Sequence, residues 1–423
     1  MLFRSRVAKQ GVTQEAACMN HQPDTRWAIG SLMSRGMAGL LLAVLWLGIA
    51  VAQPGNGFVL PDSSNATIAF APDGARALVH SRRAGQLVLY DLARRREQWR
   101  VPGGDLAGIS FSPRGEFAVL VTQRHNDVTA TLTTVRLADG HSGAARRLPR
   151  LPNAEDTAYS SRAARLSVVA DDGASLITAF ESGVLAFWPG EGDAPVSTAR
   201  KPGYYREIAL NGAASHLAAL HHGAEGSALY ILEKDSDAWR ERAQLPGVSA
   251  FRWLDGGSPR IAMLTTRGIE LWEGASPKLA VPLAKGAYEV SGGGVPSVFF
   301  SADGAYAAVA TASSFDVYTL TDGARVFTHA ENVRGAHPGL LLAAAFNGAQ
   351  LRAFLSTGDF VVVDLSARRM VQRVSFGALG SYSRNWYQDG SSWNSRYRPV
   401  LAPGARYVGL DEGKAGYRVV ELP

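Results

Sequence analysis

Histidine, cysteine and closely spaced carboxylates are the side chains of this chain that could ligate a metal, attack a substrate or shuttle a proton. Nine histidines occur in 423 residues. His80, His125, His221 and His222 follow short apolar runs at unequal depths, and His329 and His337 fall in a later connection. A metal set needs ligands converging from fixed offsets, and neither His-x-His nor His-Glu-x-x-His occurs. His125, His221 and His222 are the candidates such a set would draw on, but the pattern predicts no metal and no other cofactor. Asp171-Asp172 is the obvious carboxylate pair, yet neighbours on a turn point apart and seldom share a substrate. Glu155-Asp156 and Asp235-Ser-Asp237 read as solvated loop charges. A Gly-x-Ser-x-Gly elbow is absent, and Ser291-Gly-Gly-Gly294 opens no helix that could cradle a phosphate. No catalytic set emerges.

One segment differs in kind. Residues 376–398 concentrate Tyr382, Arg384, Trp386, Tyr387, Trp393, Arg396 and Tyr397 among Ser, Asn and Gly. Rigid amphipathic anchors set among adaptable polar residues are the composition of interface hot spots, and these seven are the candidate partner-binding residues. The same mixture suits stacking on sugar rings, and it also suits aromatics that fold back and plug a channel mouth.

The elements that must carry these residues repeat. Phe70-Ala-Pro-Asp-Gly74, Phe111-Ser-Pro-Arg-Gly115 and Phe300-Ser-Ala-Asp-Gly304 are clear copies of a strand-and-turn unit. Worn copies end at Gly173, Gly212, Gly256, Gly348 and Gly404. The eight closing glycines recur at an average spacing of about 47 residues, the period of a four-stranded propeller blade. After each turn come a second apolar strand such as Ala118-Val-Leu-Val121, a third such as Leu87-Val-Leu-Tyr-Asp-Leu92, and usually a more polar fourth such as Gln98-Trp-Arg-Val101. The last unit stops after its third strand, while an orphan strand, Gly57-Phe-Val-Leu60, precedes the first. The expected fold is therefore all-β: a propeller of four-stranded antiparallel blades, eight by this count with seven as the alternative, closed by pairing of the two chain ends.

These turns resemble the WD40-like and TolB-like bacterial propeller repeats, whose signature is Phe-Ser-Pro-Asp-Gly. The resemblance covers nearly all of the chain after residue 52. It implies a rigid platform that usually binds other proteins, with enzymes a minority. The copies depart from the WD40 pattern: no unit carries the Gly-His pair, and the Trp-Asp ending is replaced by Tyr-Asp-Leu92, Tyr-Thr-Leu320 or Val-Asp-Leu365. A repeated Asp-His network within the blades is thereby put in doubt.

The N-terminal region carries an address. Met33 leads into the uncharged run 38–51, and Ala50-Val-Ala52 supplies a small-x-small cleavage site, the anatomy of a secretory signal peptide over 33–52. The run is shorter than a spanning helix needs. Residues 1–32 are mixed and polar, an unstructured leader best explained by a start at Met33, and 53–423 forms one propeller domain. Five of the 43 basic and two of the 37 acidic residues lie in 1–52, so 38 and 35 remain, a net of +3. That charge is too thin for nucleic-acid binding. The only cysteine, Cys18, lies in the leader, so disulfides, thiolate catalysis and thiolate metal sites are not expected in the remainder. The expectation is a periplasmic or secreted, non-enzymatic platform for an envelope protein partner, without a membrane span after cleavage. The alternative is a propeller enzyme or carbohydrate-binding module using the channel mouth.

Overall fold

The computed structural model describes residues 57–423 apart from 64–65, 82, 123–129, 149–163, 181–182, 190–194, 237, 257, 275, 284–297, 311–313, 331–340, 356, 377–398 and 413–415. They build eight four-stranded antiparallel sheets, the blades. Blade 1 comprises Ala66–Phe70, Arg76–Ser81, Gln86–Asp91 and Arg96–Pro102, and blade 2 Leu106–Phe111, Phe117–Thr122, Thr131–Arg136 and Arg146–Arg147. Blade 3 is Ala164–Val169, Leu176–Phe180, Val184–Trp188 and Ser197–Arg200, and blade 4 is Tyr204–Leu210, His216–Gly223, Gly226–Asp235 and Ala238–Pro246. Blade 5 runs through Val248–Leu254, Arg260–Thr265, Gly268–Trp272 and Lys278–Pro282, and blade 6 through Val298–Phe300, Tyr306–Ala310, Ser314–Thr319 and Arg325–Ala330. Blade 7 holds Leu341–Asn347, Gln350–Leu355, Asp359–Asp364 and Arg369–Ser375. Blade 8 is composite: Val400–Leu401, Tyr407–Asp411 and Tyr417–Glu421 are completed by Phe58–Val59 from the other end of the chain.

First strands of neighbouring blades touch, as Ala164–Val169 does with Leu106–Phe111 and with Tyr204–Leu210. They are therefore the inner ring, and the fourth strands form the rim. Burial follows. Leu176–Phe180 and Val184–Trp188 are buried at every position, because both sheet faces meet a neighbouring blade. The rim strand Arg96–Pro102 is almost wholly exposed and charged, which guards an unpaired edge. The buried apolar side chains fall into eight clusters, one at each seam between blades. The core is thus a ring of seams rather than one central mass.

Ring closure occurs as the orphan strand requires. Phe58 pairs with Val419 and Val59 with Arg418, and the Leu60 amide donates to the Tyr417 carbonyl at 2.9 Å. Leu60, 1% exposed, joins Tyr407, Tyr417 and Val419 of blade 8 and Phe70, Val79 and Tyr90 of blade 1 in one seam.

The repeated turns are close-packed. The Gly74 amide donates to Ala71 O at 2.9 Å, and Asp73 accepts from the Ala75 amide at 2.9 Å. Gly74 lies in the left-handed region at φ 66°, and a Cβ there would sit 2.4 Å from the Pro403 carbonyl of the adjoining blade-8 turn. The expected closing glycine of the fourth unit is a correction. Ala214, at φ 54°, takes the left-handed position and donates to Asn211 O, while Gly212 does not adopt a positive φ. Asn211 makes this feasible, its side-chain oxygen accepting from the Ser215 and His216 amides at 2.9 Å each. Blade 8 behaves likewise, with Ala405 left-handed at φ 51° next to Gly404. Inner strands of blades 2, 3, 4, 5 and 7 each carry a register break near their start. Bulges bend a strand and raise its twist, which suits strands lining a narrow ring.

Candidate functional site

Chain direction divides the ring into two ends. Turns between first and second and between third and fourth strands emerge at one end, the turn face. Second-to-third loops and blade-to-blade connections emerge at the other, the loop face. The turn face is built mostly of short, self-bonded turns such as 71–75 and 302–305, with longer connections at 137–145 in blade 2 and 189–196 in blade 3. The four longest connections between the described strands, 148–163, 283–297, 331–340 and 376–399, join blade to blade on the loop face.

A different polar contact fixes the loop-face end of several blades. In blade 1, His80 Nε2 bonds the Gly104 carbonyl at 2.8 Å. Within blade 3, nearer the turn face, Trp188 Nε1 donates to Thr178 Oγ1 at 3.1 Å. Glu270 of blade 5 accepts from Thr265 Oγ1 at 2.6 Å and from Arg267 Nε and Nη2 at 2.8 Å each. Burial pushes its carboxyl up, but these bonds more than offset that and hold it below the usual range. Asp359 of blade 7 accepts from Thr357 at 3.0 Å and from Arg373 Nε at 3.1 Å. Among the described residues no single Asp-His network recurs.

The best-defined chemistry on the loop face lies on blade 4. Tyr204 and Tyr205 begin its inner strand opposite His222 and His221. His221, 4% exposed, stands edge-on to Tyr205 at 5.0 Å and to Tyr230 at 5.9 Å between ring centroids. Burial holds its imidazole below the ordinary histidine value, partly opposed by the bond it donates to the Lys201 backbone carbonyl. His222 Nδ1 meets Ser227 Oγ at 3.0 Å, and its ring lies 5.4 Å from that of Tyr204, which is 41% exposed. Lys201 Nζ caps the Tyr230 ring at 4.5 Å and pairs with Glu241 at 3.0 Å. Tyr204 and the half-buried His222 thus form the open side of the patch, while Tyr205, His221 and Tyr230 pack on the opposite face of the sheet.

Beside it, two charges stand on inner strands. Glu207 of blade 4 and Arg252 of blade 5 are each open to solvent yet enclosed by protein on most sides, as residues lining a ring must be. Enclosure pushes the Glu207 carboxyl up to about 7, with Arg206 pulling the other way, and pulls Arg252 down.

Of the metal candidates, His221 and His222 are thus occupied in packing and a hydroxyl bond, and His125 lies outside the described residues. Among the described residues no group of three His, Cys, Asp or Glu side chains is placed to hold a metal. His329 belongs to the fourth strand of blade 6, not to the connection after it, and packs 5.1 Å from the Phe315 ring. Asp171 and Asp172 serve turns, accepting from the Arg114 amide and from the Ala174 and Ser175 amides. Tyr382, Arg384, Trp386, Tyr387, Trp393, Arg396 and Tyr397 lie outside the described residues; the described flanks, Phe376 and Pro399, are at the loop-face ends of blades 7 and 8. The sequence reading missed Tyr204, Glu207 and Arg252. Their signal was charge and an exposed ring in strands whose counterparts, such as Ile68-Ala-Phe70, are apolar.

The fold and its seams define an eight-bladed β-propeller repeat protein. No known family model matches the chain, and no characterised protein matches it. No helix among the described residues is long and apolar enough to cross a membrane.

Proposed function

We propose that this chain is an exported, non-enzymatic propeller of the WD40-like or TolB-like kind that holds a protein partner in the bacterial envelope on its loop face. The observation that carries the reading is the asymmetry of the two ends. Mostly short, internally bonded turns leave one end little to adapt, whereas the other combines the four longest connections between the described strands with an exposed tyrosine packed on His222. Exposed aromatics backed by packed rings are the anatomy of interface anchors. The proposed anchors are Tyr204 with Trp386 and Trp393 of the aromatic insertion. Crosslinking of the exported protein in cells, followed by mass spectrometry, identifies the partner. Tyr204→Ala, Trp386→Ala and Trp393→Ala then each weaken its binding by about 2 kcal/mol or more with little change in melting temperature. Unchanged binding with lowered melting temperature would make these residues packing. Export predicts an intact mass beginning at Gln53.

A second reading, a channel-mouth enzyme or carbohydrate module, is favoured by Glu207 and Arg252 on the lumen. Glu207→Gln separates the two, because partner binding survives it while a reaction or sugar complex using that carboxyl does not.

A further inference from the structure

The short connection from blade 3 to blade 4 lies directly on a buried histidine. Lys201-Pro-Gly203 follows the rim strand of blade 3 and leads straight into Tyr204. One end is held by the Lys201 amide, which donates to the Gly183 carbonyl at 2.9 Å, and by the Lys201 ammonium on the Tyr230 ring. The other end has no clearance. A Cβ at Gly203, φ 126°, would sit 2.3 Å from the His222 carbonyl and 2.8 Å from Cε1 and Nε2 of His221. One at Gly223 would sit 3.0 Å from the Pro202 carbonyl. These three residues form a strap over the His221 ring.

The ring beneath is served in its neutral form only. A neutral imidazole has one N–H to place, and the Lys201 carbonyl accepts it. An imidazolium has two. His221 is 4% exposed and its Nε2 is sealed from water without a hydrogen-bond partner, so a second N–H finds no acceptor while the strap is closed.

Nothing charged around the ring offsets that. From the strap, the Lys201 ammonium repels added positive charge, and Glu241 of the rim strand is already spent on that ammonium at 3.0 Å. His222, next in the second strand, repels it too. Tyr205 of the inner strand and Tyr230 of the third stand edge-on to His221, and burial pushes the Tyr205 hydroxyl up, which keeps it neutral. Across the seam, blade 3 contributes apolar groups, with Ala179, Leu185 and Phe187 among them. Among the described residues no carboxylate favours the charged ring.

We propose that residues 201–203 are an acid-released latch: protonation of His221 lifts the strap from blade 4, and Tyr204, the next residue, leaves the loop face with it. Opening brings the ring into water, where both N–H groups find acceptors. The open strap holds an ordinary histidine, which takes up a proton as pH falls through about 6.5, whereas the closed one resists it. The open population is therefore smallest above that pH and grows below it. The latch does not rest on the partner reading, although a partner anchored on Tyr204 would be shed in acid.

Hydrogen exchange of the full chain, read by mass spectrometry at pH 7.5 and 5.5 and corrected for the intrinsic rate at each pH, tests the latch. Exchange in peptides covering 200–206 speeds up by as much as about tenfold at pH 5.5, the ratio set by a group that titrates near 6.5 when open. Asp359–Asp364 of blade 7 keeps its rate. His221→Phe keeps an aromatic ring in the packing and His221→Gln keeps one N–H for the Lys201 carbonyl; neither takes up a proton, so both flatten the response. His222→Gln and Glu207→Gln retain it, which separates His221 from the other groups that titrate nearby. A change below about twofold in the parent overturns the proposal. So does a response that persists in a His221 variant, vanishes in His222→Gln or Glu207→Gln, or extends equally to Asp359–Asp364.

Discussion

Blades 4 and 8 reach the same four-stranded sheet by different routes. Blade 4 is one continuous meander with strands of 7, 8, 10 and 9 residues, a tight Gly223-to-Gly226 loop and a single residue, Gly247, leading to the next blade. Blade 8 has strands of 2, 5, 5 and 2 residues, and its rim strand comes from the far end of the chain. Local pairing suffices to define blade 4, since each strand meets its partner within a few residues. Blade 8 exists only once the other seven have brought the ends together, so its stability measures closure of the whole ring and blade 4's measures a local sheet.

The largest expected effect breaks that difference open. Deleting residues 57–60 removes the rim strand of blade 8 and one wall of its seam with blade 1, a loss comparable with the roughly 5–15 kcal/mol that stabilises a typical domain. Thermal unfolding of the truncated protein should lose its cooperative transition near that of the parent. A melt matching the parent would show that the strand pairing contributes nothing.

Single large-to-small changes come next. Leu60→Ala in the closing seam and Leu217→Ala in blade 4 each empty a fully buried site, and each should cost about 2–5 kcal/mol in denaturant unfolding. A Leu60→Ala loss below about 0.5 kcal/mol, the scale of a surface substitution, would contradict the closing seam.

Acid sharpens the contrast further, because blade 4 holds His216 and His221 while the described residues of blade 8 include no histidine. Burial lowers both imidazoles below the ordinary histidine value. The unfolded chain then binds more protons than the folded one as pH falls through about 6.5, so their contribution is present above that pH and lost below it. Glu207, raised to about 7, acts in the opposite sense: its contribution is full below about 4.5 and lost as pH rises through 7. Melting temperature measured from pH 8 to 5 should therefore fall less steeply in His221→Phe and more steeply in Glu207→Gln than in the parent. A parental slope in both variants would remove these groups from the account.

The smallest effect concerns the turns. Ala214→Gly in blade 4 and Arg368→Gly in blade 7 relieve left-handed strain and should each raise stability by about 0.5–1 kcal/mol, read as a shift in denaturant midpoint.

The architecture was legible because its signals are local and repeated. Apolar second and third strands recur in every unit, polar rim strands and glycine-closed turns in most, and the unequal ends at Gly57-Phe-Val-Leu60 and Tyr417-Arg-Val-Val420 point to closure. Where the reading erred, it was in single residues. Gly212 drew the eye because glycine is the usual left-handed residue, but Asn211 shifts the turn so that Ala214 takes that conformation. His329 sat near a glycine-rich connection in the sequence, and only pairing with Phe315 draws it into a strand.

By itself, then, the sequence determined the fold class and how the ring closes and narrowed the blades to eight or seven, since each depends on patterns a few residues long or on the count of such patterns. Tertiary structure alone decided which charged groups meet. Arg352 against Ala405 is a contact across 53 residues and a blade boundary, and Glu207 and Arg252 are enclosed because eight inner strands surround them. Burial and electrostatic field depend on every neighbour in space, and nothing in the local run of residues records who those neighbours are.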